Sequence, residues 1–278
     1  MNIKILKKTL KFLKNRSLES HKYNFGSLLV LGGNYKYSGS PALAALSAYR
    51  AGVDIVEIAA PERVANIVAG FSPDLITIPL KGEFFREKHI QKILEALKNK
   101  TTFLLGGGLG RERETKKAVL KLLEKINLPC VIDADAIYAF SGNLKKIKRN
   151  FVFLPHSYEF FVLTGKEIFN LSLKERIFLV RREAKKLQCV LVVKGNPDII
   201  ANEKEVFLNY TGNPYMTVGG TGDTLAGIIS SLIAQRIDPF TAACLGAYLN
   251  GKAGDLVAKE KKQGLLATDI IEKIPYVF

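Results

Sequence analysis

Short apolar runs alternate with amphipathic stretches along most of the chain. The runs at 27–31, 53–59, 75–78, 102–105, 130–132, 151–154 and 189–193 are rich in Val, Ile, Leu and Phe, as strands buried on both faces require. Between them, 42–51, 62–69, 88–99, 112–126 and 173–187 place apolar residues at helical spacing. Pro41 stands where the first of these helices begins and Gly52 closes it. A hairpin over 198–208 and three C-terminal helices complete the pattern. This alternation predicts an α/β fold: a mostly parallel central sheet with helices on both faces. Residues 1–16 set Ile3, Leu6, Leu10 and Leu13 between lysines. That is a basic amphipathic helix, expected to pack on the domain or on a neighbouring subunit rather than on a membrane. No linker, composition break or internal repeat interrupts residues 1–278, so a single domain is expected.

The polar and glycine-rich clusters come after the strands. They are Gly32-Gly33 with the loop to Ser40, G-G-G-L-G at 106–110, D-A-D-A at 133–136, P-H-S-Y-E at 155–159 and Lys194-Gly195. Ligands bind open α/β sheets at this strand edge. The densest stretch is 213–227, N-P-Y-M-T-V-G-G-T-G-D-T-L-A-G. Gly219, Gly220, Thr221 and Gly222 allow backbone N–H groups to converge on one point without an intervening Cβ. The N–H groups that open the following helix point the same way, making an anion hole suited to a phosphoryl group. Asp223 at its lip is placed to take a proton from a substrate hydroxyl. A lone Asp there would ordinarily be an N-cap, but a cap does not require three glycines. A helix terminus also stabilises ionised Asp, which would weaken it as a base.

At 278 residues and 47% hydrophobic content, the chain can bury a large core. No run reaches the length of a membrane span and no signal peptide is evident, so a cytoplasmic protein is expected. Cys130, Cys189 and Cys244 sit apart in apolar runs, as reduced core thiols would. The formal charge of +15 invites a nucleic-acid reading. The lysines and arginines are however spread over helix surfaces and interleaved with Glu, and no nucleic-acid-binding module accompanies them. No nucleic-acid partner is expected. The commonest catalytic motifs are missing as well. No G-K-[ST] follows the first strand, and Arg111 and Arg113 stand where G-x-G-x-x-G would need Gly or Ala. No His-Glu-x-x-His, Cys-x-x-Cys pair or G-x-S-x-G is present.

From Arg16 to about Thr268 the chain resembles the ADP- or ATP-dependent NAD(P)H-hydrate dehydratases of the ribokinase-like superfamily. The resemblance rests on an ordered series: S-H-K-x-x-F-G, G-G-x-x-x-Y-S-G-S-P, R-A-G, G-G-L-G, D-A-D-A, L-P-H-S-Y-E, V-K-G and N-P-x-M-x-x-G-G-T-G-D-x-L-A-G. It implies a three-layer ribokinase-like fold and a metabolite-repair reaction. The S epimer of hydrated NADH or NADPH (NADHX or NADPHX) would be phosphorylated on its extra hydroxyl by ADP or ATP. Phosphate would then depart to restore the coenzyme, with AMP or ADP released. The chemistry is sensible. Hydroxide is a poor leaving group because bulk water is a very weak acid, whereas a phosphate ester's second pKa is about 6.

The resemblance places the hydrated nicotinamide near Ser40, Gly110, His156 and Asp223. It lays the adenine nucleotide along Lys194, Gly195, Asn196, Pro197 and Asp198, touching Gly222. It implies Mg²⁺ as cofactor and a homotetramer. Asp133 and Asp135 can hold water around that ion, and Asp135 can equally cap the next helix. Lys194 ends an apolar strand, where an unpaired ammonium is costly; a phosphate contact would resolve it. Ser40 stands where the family usually has Ala. Asp198 stands where it usually has Thr or Ser, so that carboxylate either points away from the nucleotide or alters its affinity. The family often carries an N-terminal epimerase domain, and the residues before Phe25 are too few for one. Two alternatives stay open at this point. One is a ribokinase-like kinase for a small alcohol of the hydroxymethylpyrimidine or hydroxyethylthiazole type. The other is a non-catalytic nucleotide- or RNA-binding protein.

Overall fold

The computed structural model describes Leu10, Leu13 and residues 16–278. The helix expected over 1–16 lies for the most part outside the described residues; Leu10 and Leu13 pack against the core. The first half runs β1 (Ser27–Leu31), α1 (Gly39–Arg50), β2 (Ile55–Pro61), α2 (Glu62–Ala69), β3 (Ile76–Leu80), α3 (Ile90–Leu97), β4 (Thr102–Leu105), α4 (Arg113–Glu124) and β5 (Cys130–Ile132). The second half runs β6 (Phe151–Phe153), α5 (Ser157–Thr164), α6 (Leu173–Leu187), β7 (Val190–Val193), β8 (Asp198–Ala201), β9 (Val206–Asn209), α7 (Thr221–Ala234), α8 (Pro239–Lys261) and α9 (Ala267–Lys273).

The strands form one sheet in the order β3-β2-β1-β4-β5-β6-β7-β8-β9. β1 to β7 pair in parallel, and the β8–β9 hairpin joins antiparallel. Side chains alternate across the pleat. Leu28, Val30, Val56, Leu104 and Val192 face α1, α2, α7, α8 and α9, while Leu29, Phe103, Ile132, Phe153 and Leu191 face α3 to α6. Both faces are therefore covered, which is why these strands carry almost no polar residue. β3 is the exception, because as an edge strand it leaves Ile76 exposed. The three cysteines are free and buried, and burial pushes each thiol far above its ordinary pKa.

Chain order reverses between β1 and β4, since β2 lies on one side of β1 and β4 on the other. That opens the crevice in which such sheets bind ligands. Its two walls touch where Gly33 N donates to Gly107 O at 2.9 Å. α1 and α7 reach the crevice side by side, packed at backbone distance. A Cβ on Gly227 would lie 2.1 Å from both Ala44 O and Ser47 Oγ. Gly227→Ala should therefore force α1 and α7 apart and lower stability by about 3 kcal/mol, read as a fall in the denaturation midpoint.

Two elements differ from the sequence expectation. α5 is a helix where only a polar cluster was expected, and α7 begins at Thr221 rather than just beyond Asp223. Gly220 explains the second difference. It is the N-cap with φ 97°, and a Cβ there would meet Leu43 Cδ1 at 2.7 Å and Ala267 Cβ at 2.9 Å. The helix can start this early because that position is glycine.

Candidate active site

Asp223 lies in the first turn of α7 and does not cap it, for no side chain caps that end. Its Oδ2 instead accepts a hydrogen bond from Ser40 Oγ at 2.9 Å. Ser40 is the second residue of α1, so two helix starts meet across the crevice. Gly107 forms the floor, and a Cβ there would lie 2.6 Å from Asp223 Oδ1. Burial, reinforced by the charge of Asp133, pushes Asp223 up to about 7, against the opposing pull of the Ser40 hydroxyl and Lys194. The weak carboxylate expected from the helix terminus is not what results. Loss of water is the largest cause of the rise.

The glycine turn opens beside this carboxylate. A Cβ on Gly219 would meet nothing within 4 Å beyond its chain neighbours. The N–H groups of Thr221, Gly222 and Asp223 precede the first intrahelical bond, Thr224 N to Gly220 O. The Thr221 hydroxyl turns inward to Met216 O at 2.9 Å and Val218 O at 3.2 Å. Thr221 thus fixes the turn with its side chain and offers only its amide to a ligand.

Lys194 faces the same turn. Its Nζ is 3.6 Å from where a Gly222 Cβ would sit, and Asp133 Oδ2 is 4.0 Å from that point. The ammonium is already paired, at 2.9 Å from Asp133 Oδ1 and 3.8 Å from Glu159 Oε2. Two buried carboxylates thus balance the ammonium that the sequence left without a partner. Burial pulls the Lys194 pKa down, and the two carboxylates outweigh that and hold it above the ordinary lysine value.

Glu159 was not singled out from the sequence, yet its side chain is only 4% exposed. Burial raises its pKa against the pull of Lys194, and Asp133 adds to the rise. Its Oε2 accepts from His156 N at 2.9 Å, while His156 Nδ1 accepts from Tyr158 N and Glu159 N at 3.1 and 3.3 Å. This capping box starts α5. The spacing His-x-x-Glu was the signal that could have revealed both the helix and Glu159. With Nδ1 accepting, the neutral ring carries its proton on Nε2.

The remaining candidates serve turns. Gly110 N donates to Asp135 Oδ2 at 3.0 Å, and Arg111 Nε holds Asp135 Oδ1 at 2.6 Å while its guanidinium lies 3.8 Å from the Tyr138 ring centre. Asp135 makes no helix-capping bond. Asp198 has both carboxylate oxygens engaged within the protein. Its Oδ1 accepts from Gly195 N and its Oδ2 from Asn209 Nδ2, both at 2.9 Å. It braces the Lys194-Gly195 turn, which includes the cis Asn196-Pro197 bond. Burial raises its pKa against those two hydrogen bonds. Among the described residues, no three His, Cys, Asp or Glu side chains group as a metal-binding set.

Fold and site together are of the ribokinase-like class, a three-layer α/β arrangement with a glycine turn and an acidic side chain at the switch point. The model of the NAD(P)H-hydrate dehydratase family matches residues 28–276. The chain is 41% identical over 264 residues to the bifunctional NAD(P)H-hydrate repair enzyme of Pyrobaculum aerophilum, covering 94% of this chain and 52% of that one. It is 34% identical to the ADP-dependent (S)-NAD(P)H-hydrate dehydratase of Nitrosopumilus maritimus, covering 96% and 93%. The solved ADP/ATP-dependent NAD(P)H-hydrate dehydratase of Bacillus subtilis, co-crystallised with ATP/Mg²⁺, superposes with a TM-score of 0.80 at 29% identity over 95% and 92% of the two chains. The chain belongs to the NAD(P)H-hydrate dehydratase family. It spans about half the length of several curated relatives it matches. Membership does not favour the small-alcohol kinase or the non-catalytic binding protein. No helix among the described residues is long and apolar enough to cross a membrane.

Proposed function

We propose that this chain dehydrates the S epimer of hydrated NADH or NADPH at the expense of ADP or ATP, acting as a single domain. The observation that carries this reading is the convergence of the Ser40–Asp223 pair and the Lys194–Asp133 pair on the glycine turn that opens α7. One pair suits the acceptor and the other the donor.

In this reading Asp223 takes the proton of the substrate hydroxyl as the hydroxyl oxygen attacks the terminal phosphorus of the nucleotide. The phosphorus–oxygen bond to the leaving AMP or ADP breaks. The amides of residues 219–222 hold the charge that builds on the migrating group, and a preorganised hole does this without reorganisation. Lys194 balances the same charge from the opposite side. The ring-nitrogen electron pair then expels phosphate, and loss of a proton from the neighbouring ring carbon restores the dihydronicotinamide. The His156 ring, whose Nε2 lies 3.4 Å from Glu159 Oε1, and the Gly107–Gly110 backbone border the substrate side. Lys194 to Pro197, with Gly222, border the nucleotide side. Asp198 acts there by holding Gly195 N.

The donor set fits a magnesium ion that arrives on the nucleotide's phosphates. Asp133 Oδ2 faces the turn, one carboxylate is enough for a largely hydrated Mg²⁺, and both Asp135 oxygens are already engaged. Such an ion would neutralise phosphate charge. The decisive assay supplies hydrated NADH or NADPH, Mg²⁺ and either ADP or ATP, and follows near-ultraviolet absorbance. Recovery of the dihydronicotinamide band with at least one nucleotide is expected. No recovery with either would reject the reading.

A further inference from the structure

α8 is more than a cover for the sheet. Along N-G-K-A-G-D, residues 250–255, it presents two polar side chains and two glycines to the segment that leads into the glycine turn. A Cβ on Gly251 would strike Thr211 Oγ1 at 2.2 Å, and one on Gly254 would strike Met216 Sδ at 2.2 Å. Asp255 accepts from Gly212 N at 3.2 Å and from Asn213 Nδ2 at 3.1 Å. Met216 O in turn receives the Thr221 hydroxyl. Segment 211–221 is therefore anchored on one stripe of this helix at Thr211, Gly212, Asn213, Met216 and Thr221.

Asn250 is the innermost member of the stripe. It is 6% exposed, and a buried amide persists only where its hydrogen bonds are met. The Thr224 hydroxyl, itself fully buried, lies 2.7 Å from Asn250 Oδ1 and 2.8 Å from Thr221 O and shares its proton between them, and Asn250 Nδ2 donates to Thr221 O at 3.4 Å. These two contacts bracket Asp223, at two residues before it and one residue after. An apolar side chain would fill the space as well, but it would not fix the rotation of the first turn of α7. Nothing else in the core of α8 requires an amide at this position.

The geometry points to Asn250 as a positioning residue that, through Thr221 and Thr224, aims the Asp223 carboxylate and the neighbouring turn amides at the transferring group. This rests on the reading of Asp223 given above. Asn250 touches no reacting atom, and its effect is on orientation. An error of about 1 Å in such a group can cost ~100-fold in rate.

The test compares Asn250→Ala, Thr224→Val, their double variant and Thr224→Ser in the full chain. Asn250→Ala and Thr224→Val should each lower kcat by about 10- to 100-fold, with KM for hydrate and nucleotide changed by less than about threefold. The double variant should lose little more than the worse single one, because Asn250, Thr224 and Thr221 O form one connected network that either change opens. Thr224→Ser keeps the hydroxyl and should restore kcat to within about threefold of the parent. A carbon-13 NMR titration should show Asp223 in Asn250→Ala shifted by about half a unit or more toward an ordinary carboxylate, as the loosened turn admits water. Unchanged kcat in Asn250→Ala, multiplied losses in the double variant, or failure of Thr224→Ser to recover would overturn the inference. If the parent chain were inactive with both nucleotides, the dehydratase reading would fall. The titration would then decide the positioning role alone, and an unmoved Asp223 in Asn250→Ala would refute it.

Discussion

Asp223→Asn is expected to lower kcat by about 10³-fold while leaving the protein no less stable, and above neutral pH more stable. The catalytic loss follows from removing the group that takes the hydroxyl proton while keeping its size. The stability gain follows from the same burial. An ordinary Asp ionises near 3.8, and in the folded chain this one is pushed up to about 7. The folded state therefore holds a proton that the unfolded chain releases across that window. Stability from this group is complete below about 3.8 and is lost as pH rises through about 7. Asparagine cannot ionise and escapes that loss. Its advantage should grow between pH 4 and pH 7 and then level off, on the order of 2 kcal/mol once partial solvation is allowed for. Melting curves at pH 5 and pH 8.5 measure it. Activity of the parent should rise with pH along a limb centred near 7. A variant that melts lower at pH 8.5 would show that the carboxylate serves the fold.

Lys194→Ala should produce the largest loss of stability of any single change at the site. The ammonium serves Asp133 and Glu159 together, and both side chains are almost wholly buried. Removing one partner of such a cluster leaves uncompensated charge, at a cost of about 3 to 5 kcal/mol. The lower end applies because Lys194 is 22% exposed. The midpoint should fall by roughly 10 °C at neutral pH. The sign of its pH dependence is fixed by Glu159, whose pKa is already raised and which Lys194 restrains. Without the lysine it climbs further, so the deficit should shrink as the solution is acidified and Glu159 takes up a proton. Activity should fall as well, with the KM for nucleotide rising, since the phosphoryl side loses its fixed charge. Lys194→Arg keeps charge but not shape and should recover stability better than activity. An equal deficit of Lys194→Ala against the parent at pH 5 and pH 8 would contradict the role given to its charge.

How much of this could be read in the sequence depended on how local the cause was. β4 and β5 were legible to the residue, because Thr102–Leu105 and Cys130–Ile132 are buried on both faces and bounded by turn residues. α2 and α6 were equally clear from their apolar spacing. α5 was not. Phe160, Phe161, Val162 and Leu163 give it no polar side, and its start is marked by a histidine cap rather than Ser, Thr or Asp. The glycine turn and Asp223 stood out because three glycines in four residues serve no ordinary helix start. Their partners did not. Ser40 lies 183 residues from Asp223, and Asp133 lies 61 from Lys194. No local pattern announces such a pair, so the sequence left Lys194 unpartnered and gave Asp198 no reason to point inward. The two glycines, Asn250 and Asp255 inside α8 carried no signal in the sequence. Their meaning required knowing that segment 211–221 lies on them.

The central claim is that the substrate hydroxyl is phosphorylated beside Asp223 before it leaves. Its most direct test uses hydrate carrying oxygen-18 in that hydroxyl, turned over with unlabelled nucleotide in ordinary water. Phosphorylation followed by carbon–oxygen cleavage predicts that the heavy oxygen appears in the released inorganic phosphate, one atom for each coenzyme restored. Recovery of the label in water, with unlabelled phosphate, would contradict the account.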